Sequence, residues 1–540
     1  MSGTRGLTAL HALRAAVIGI ATLAFHLPPA SAAPKDAAQV SATRPNIDAA
    51  QLLARLYAPD KPQRLWSSPA DAQLAISLLK TASAHGLDPA AYGVDALSLR
   101  LDQLAPADAD SFERALSEAM LQFISDLHFG RVKPDFQSPR SEQRLQQFDP
   151  VEHLRQGLAQ QRLKEAIDSA APALPPYKRV QTTLQHYRQL AAQSPAWTPP
   201  PGLPKDGKLV AGKPYPGLGQ LRERLQLLGD LGAPGAESAL PEPEHHSDEL
   251  AQAIVRFQAR HGLAETGHLG RDTVAALKVP LSHRVRQLEL TLERLRWLPP
   301  LKPGRVIVVN VAAYRLWAFD TAAGNASAPL EMRVIVGKAA RTQTPLFIGQ
   351  MSYLEFNPYW NVPRSIATGE IAPKLARNPG YLAQNNMELV SASGQVQHGA
   401  TGASVAALRS GALRVRQRPG VHNVLGAVKF AMPNPMNIYL HSTSAKELFG
   451  NTRRDLSHGC IRVERPAELA GFVLAGQPQW SAQAIDAAMT PGKTRTVRLS
   501  EDIPVVLFYA TAATDRSGRA VFADDIYRRD DKLAQSLKAP

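Results

Sequence analysis

Between Leu295 and Val306 the period of the apolar residues changes, and no single layer architecture serves both parts of the chain. Before the change, apolar residues recur at three- and four-residue steps, as in Phe112, Leu116, Met120, Phe123 and Leu127, or in Val285, Leu288, Leu292 and Leu295. That is the spacing of one helix face. After it, Val306 to Val311, Tyr314 to Phe319, Leu330 to Val336 and Val505 to Phe508 read as strands bounded by turn residues. At 540 residues the chain exceeds what one ordinary core organises, so three or more folded units are expected. The expected fold class is multidomain α+β, helical first and mostly β afterwards.

Local signals divide the chain. Arg5 and Arg14 precede an apolar run, Ala15 to Phe25, and the small residues Ala30-Ser31-Ala32-Ala33, so residues 1–32 read as a secretory signal cleaved after Ala32. The run is too short for a comfortable spanning helix, and a membrane is expected as a partner only through an uncleaved signal. A polar leader, 33–46, leads into a helical unit, 47–194. There Ser68-Pro69-Ala70-Asp71 starts a helix and Gly86 stops it. Residues 195–217 form a Pro/Gly-rich connection. A three-helix pattern over 218–280 is marked by Leu218, Leu221, Leu225 and Leu228, then by Leu250, Ile254 and Phe257, with a third helix near Arg271. His245 and His246, in its middle loop, read as exposed. A connecting helix, 281–300, leads to a strand-rich unit, 301–530, with a tail at 531–540. Within that unit residues 376–416 show little apolar periodicity and read as a mobile insertion.

The formal charge of +14 invites an anionic partner. No compact basic motif with interleaved aromatics accompanies it, so nucleic acid is not expected, whereas acidic peptides and membrane surfaces suit the balance.

Cys460 is the single cysteine. It follows Ser457-His458-Gly459 and precedes Ile461-Arg462-Val463, and upstream lies Ile438-Tyr439-Leu440-His441-Ser442. In an oxidising compartment it has no intrachain partner and stands out as a reactive thiol. A free thiol, with a pKa of about 8.5, needs a base. His441 ends a strand-like run and His458 stands two residues before Cys460. One imidazole could take the thiol proton while amides around Gly459 hold an oxyanion. Two other readings stay open. A lone cysteine is often a small buried hydrophobe. A zinc site from His441, His458 and Cys460 is conceivable, although no fourth ligand lies at a usual spacing and no HExxH motif occurs, so no metal is assigned.

The order of a histidine, a gap, and then Ser-His-Gly-Cys with an apolar residue and arginine resembles the signature of the L,D-transpeptidases, cysteine enzymes that remodel bacterial peptidoglycan. Asp126 to Val132 and Asn357 to Pro363 are similar to segments of the large members of that family. Val255 to Leu263 with Thr266-Gly267 resembles a three-helix peptidoglycan-binding module, and Asp524-Asp525-Ile526-Tyr527 extends the likeness to the end of the strand-rich unit. The resemblance implies Cys460 as nucleophile, His441 as proton donor and acceptor, Ser442 orienting it through a carbonyl, and Gly459 in the oxyanion site. His458, Arg462, Tyr439 and Trp360 would contact substrate. It implies a mostly β catalytic domain whose insertion caps the site. It also implies a periplasmic enzyme of cell wall biogenesis, needing no cofactor, that takes peptidoglycan stem peptides, has peptidoglycan synthases as partners and is inhibited by carbapenems. The activity implied is transfer of the third stem residue to a second stem's amine. An L,D-carboxypeptidase, an anchorase that attaches a lipoprotein to peptidoglycan, and a non-catalytic wall-binding scaffold are the alternatives.

Overall fold

A computed structural model describes residues 49–58, 64–66, 68–134, 147–193, 202–203, 207–232, 246–300, 302–322, 328–397 and 399–538. The expected signal and leader, and His245, lie outside the described residues.

Local signals set the helices. Ser68 accepts from the Asp71 amide at 3.2 Å and starts the helix Pro69–Lys80, and a 3-10 turn follows until Gly86, at φ 71°, reverses the chain. The stripe from Phe112 to Leu127 is the buried face of Ala109–Phe129. That helix ends at Gly130, where a Cβ would come within 2.6 Å of Glu293 Oε1 and 2.8 Å of Trp297 Nε1. Only glycine allows the connecting helix to approach so closely.

The three-helix unit is built from Leu218–Leu227, Asp248–Arg260 and Arg271–Lys278 around Leu221, Leu225, Ile254, Phe257 and Leu277. Lys208–Leu209 pairs with Leu269–Gly270, and Leu209 and Tyr215 enter this core, so part of the Pro/Gly-rich connection belongs to it. His246 is buried, with 1% of its surface accessible, which corrects its reading as an exposed loop residue. Its backbone pairs with Gly212 and Lys213 and draws the side chain inward.

The connecting helix, Leu281–Arg296, is more than a connection. Leu288, Leu292 and Leu295 pack with Tyr177, Val180 and Leu184 of the helix Pro175–Gln193 and with Ala512, Ala520 and Phe522 from near the C-terminus. Its polar side is buried too. Glu293 accepts from the amides of Arg131 and Val132 and from Arg296 Nη1, while Arg294 pairs with Asp530 at 2.5 Å.

The strand-rich part is built on a sheet of β1 (Arg305–Asn310), β2 (Arg315–Asp320), β3 (Leu330–Gly337), β4 (Phe347–Phe356), β5 (Val428–Ala431), β6 (Leu440–His441), β7 (Asp455–Ser457), β8 (Ile461–Val463) and β9 (Arg495–Phe508). Neighbours run β7-β3-β8-β6-β5-β4-β9-β1-β2, and β2 also pairs with β3, so the ladder closes on itself. Val309, Leu316, Val334, Leu354, Phe430, Leu440, Ile461 and Val505 fill its core.

The chain leaves this sheet after Phe356 and returns at Val428. The intervening segment is folded. Strands Trp360–Asn361, Leu413–Gln417, Met387–Ser391 and Val396–Gln397 form an antiparallel sheet, with short helical pieces closing over Val362, Ile371, Leu375, Leu389 and Val415. Asn357 Nδ2 donates to the carbonyls of Ala488 and Thr490, and Asn423 Nδ2 to that of Pro358, which clamps the stem of the insertion. No periodicity marked 376–416 because elements of two to nine residues are too short to display one.

Candidate active site

The register of three strands gathers the site. His441 on β6 lies opposite Lys429 on β5 and beside Arg462 on the parallel β8, and the Ile461 amide donates to the Tyr439 carbonyl at 3.1 Å. Side chains two residues apart on a strand share a face. Tyr439 and His441 therefore stand on one face with Cys460 and Arg462.

His441 is almost fully buried. Its Nδ1 donates to the Ser442 carbonyl at 2.5 Å, which fixes the proton on Nδ1 and leaves Nε2 as the basic nitrogen. Burial first, and then the Arg462 charge, push its pKa down to about 3, against the Ser442 carbonyl, which raises it. Ser442 is held in turn. Its Oγ donates to the Leu425 carbonyl and accepts from the Val428 amide, while its own amide donates to the Val428 carbonyl. Gly426, at φ +63°, faces it so closely that a Cβ would stand 2.1 Å from Ser442 Oγ.

Cys460 is half-buried on the loop between β7 and β8. Its thiol donates to the Asn437 carbonyl at 3.6 Å, and among the described residues it makes no hydrogen bond to His441. Burial pushes the thiol up from its ordinary range, against the lowering influence of Tyr439, Lys429 and Arg462. A raised thiol beside a lowered imidazole makes the resting pair neutral. Asn437, at φ 53°, ends a turn that the Asn434 side chain ties to Met436 and Ile438.

The Cys460 loop is braced from below. Thr344 Oγ1 donates to the Gly459 carbonyl at 2.7 Å and accepts from the Gly337 amide, and Thr342 Oγ1 donates to the Ser457 carbonyl. Gly337 has no room for a side chain, because a Cβ would meet Thr342 O at 1.9 Å. Tyr527, beyond the last strand of the sheet, donates to the Gly337 carbonyl at 2.5 Å and accepts from the Thr344 amide. Gly459, at φ +116°, gives the loop its turn, and its amide donates to Ser457 Oγ at 3.1 Å. That amide is already engaged. The Cys460 amide has no acceptor among the described residues.

Of the residues expected to contact substrate, Tyr439 neighbours the thiol. Its hydroxyl is close enough to interact with both the Cys460 sulfur and the Trp360 indole, and burial raises its pKa. Its ring meets that of His441 edge-on at 5.7 Å and carries Lys429 Nζ 5.0 Å from its centroid. Lys429 is paired with Glu355 at 2.7 Å. Arg462 is half-buried, its Nε has no hydrogen-bond partner among the described residues, and burial lowers its pKa. His458 places its Nε2 2.6 Å from Glu370 Oε1 of the insertion. Among the described residues no three His, Cys, Asp or Glu side chains gather as a metal site, so His441, His458 and Cys460 do not converge on one. Sequence reading missed Lys429, Asn437, Gly426, Thr344 and Glu370. Only Lys429 had a visible signal, its alternation with Val428 and Phe430 on a short strand.

Comparison with known proteins matches residues 304–480 to the L,D-transpeptidase catalytic domain family (YkuD), 51–184 to a scaffold domain and 215–277 to a "putative peptidoglycan binding domain". A "putative L,D-transpeptidase" of Haemophilus influenzae is 32% identical over 276 residues, 50% of this chain and 54% of that protein. The chain thus spans about half the length of that curated relative. Among solved structures, an L,D-transpeptidase from Stackebrandtia nassauensis aligns at 13% identity and a TM-score of 0.24, covering 56% of this chain and 95% of its own. One from Xylanimonas cellulosilytica aligns at 16% and 0.19, covering 58% and 100%.

Proposed function

Because the chain carries an L,D-transpeptidase catalytic domain and a peptidoglycan-binding domain, we propose that it is an exported, cell-wall-associated enzyme that cross-links peptidoglycan stems through a Cys460 thioester. The observation that carries this reading is the shared face of β6 and β8. It sets a thiol, an imidazole held by the Ser442 carbonyl and a half-buried arginine on neighbouring positions of one face.

In this reading the thiol turns from the Asn437 carbonyl toward His441 Nε2, which takes its proton as the sulfur attacks the carbonyl carbon of the third stem residue. The Cys460 amide and the Tyr439 hydroxyl face the developing oxyanion, a role the engaged Gly459 amide does not fill. The imidazolium returns the proton to the departing D-alanine amine, and a thioester remains. Ser442 keeps the imidazole oriented, as its carbonyl bond supports. Arg462 suits a stem carboxylate, and Trp360 walls the cleft beside Tyr439. The side-chain amine of a second stem's third residue then attacks the thioester and frees the thiol. The energy of the broken peptide bond is carried in the thioester, so no cofactor enters. The signal-like segment at the N-terminus supports a periplasmic location, and the family match supports carbapenem acylation of Cys460.

The test is product analysis after incubation with a disaccharide-tetrapeptide ending in D-alanine, for the wild type beside Cys460→Ala. D-alanine and a dimer joined through third residues, absent with the variant, are expected. Tripeptide without dimer would replace this reading by a carboxypeptidase, and no turnover by the wild type would replace it by a scaffold.

A further inference from the structure

We propose that the Glu370–His458 pair latches the insertion over Cys460 and thereby sets whether an amine or water resolves the thioester. The inference rests on the transpeptidase reading above.

The insertion meets the site at two places. At its first strand, Trp360 lies close enough to the Tyr439 hydroxyl to influence it, and that hydroxyl neighbours the Cys460 sulfur. On its helical side, Glu370 Oε1 lies 2.6 Å from Nε2 of His458, two residues before the nucleophile. Glu370 belongs to a single π-helical turn, Ala367–Ile371, whose Ala367 and Ile371 are buried in the insertion's own core. Such a turn re-aims the side chains between its anchors, and here it sends a carboxylate toward the Cys460 loop. That loop is the fixed partner. Thr342 and Thr344 hold the carbonyls on either side of His458, so breaking the pair would release the insertion and not the nucleophile.

Acceptor choice depends on what reaches one carbon. In transfer, an amine nitrogen attacks the thioester carbonyl, the C–S bond breaks, an amide forms, and His441 passes the displaced proton to the Cys460 sulfur. In hydrolysis the oxygen of water attacks the same carbon, and a carboxylic acid forms with the same return of the thiol. The two steps differ only in the nucleophile, so a cover that limits water favours the amine. The side chains of His458 and Glu370 are 37% and 46% exposed, and a single contact in that setting is weak. Weakness suits a latch that must open for each stem.

The experiment uses the full chain with the disaccharide-tetrapeptide and reads the molar ratio of tripeptide to dimer, alongside total D-alanine. Glu370→Ala should raise the ratio about three- to fivefold, the scale of a half-exposed pair, with D-alanine release unchanged. Glu370→Gln, which keeps an acceptor, should raise it less. The reversed pair Glu370→Lys with His458→Glu should bring it back toward the wild-type value. A Glu370→Ala ratio equal to that of the wild type overturns the proposal. Absence of D-alanine release by the wild type itself is a separate result, which overturns the transpeptidase reading beneath it.

Discussion

At Cys460 and His441 burial outweighs attraction. A thiolate–imidazolium pair needs the imidazole to hold a proton at the working pH, yet His441 sits at about 3 while burial raises the thiol. Alkylation of Cys460 by iodoacetamide should therefore climb steadily with pH through 9. A plateau between pH 5 and 7 would reveal a preformed ion pair. The same burial links pH to stability. An imidazole at about 3 when folded and 6.5 when unfolded binds fewer protons in the native state between those values. Its contribution is complete above pH 6.5 and is lost as pH falls toward 3, amounting to roughly 2 kcal/mol by pH 5. Thermal unfolding of His441→Asn should accordingly show a shallower loss between pH 7 and 5 than the wild type, and equal slopes would contradict the assignment. Gly426→Ala should slow acylation about 100-fold, because in the proposed mechanism displacing Ser442 by an ångström would misplace His441. Cys460 and His441 were legible from their own neighbourhoods. Gly426 and Thr344 were not, since each acts on a residue far along the chain and carries no local mark.

At the scale of elements, the strands of the closed sheet and the long helices were legible because their periods run over enough residues to show. The insertion was not. Its helices and strands are short, and its core draws on Val362 and Ile371, outside the stretch that read as a loop. A private core predicts private stability. Leu389→Ala, at a position with no accessible surface, should cost about 2–5 kcal/mol. Hydrogen exchange should show the loss in 360–417, with protection of β4 and β9 unchanged, and equal loss in those strands would mean that the insertion has no independent core.

Across the whole molecule the helix Leu281–Arg296 is the shared element. Glu293 and Arg296, both buried, reach Arg131, Val132 and His85 of the helical part, and Arg294 reaches Asp530 near the C-terminus. Sequence reading made it a connector because its leucine stripe was visible while the partners of its buried charges were distant. Glu293→Gln leaves a buried guanidinium without its carboxylate and should cost about 3–5 kcal/mol, lowering the unfolding transition of helical and strand-rich parts together. Separate transitions would deny the coupling. In the proposed function one sulfur, that of Cys460, carries the reaction. Intact mass of the full chain after incubation with the disaccharide-tetrapeptide, with the adduct mapped by proteolysis, tests that claim most directly. The account predicts an added mass equal to the stem less D-alanine, on the peptide holding Cys460 and absent from Cys460→Ala. An adduct elsewhere, or turnover by the variant, would contradict it.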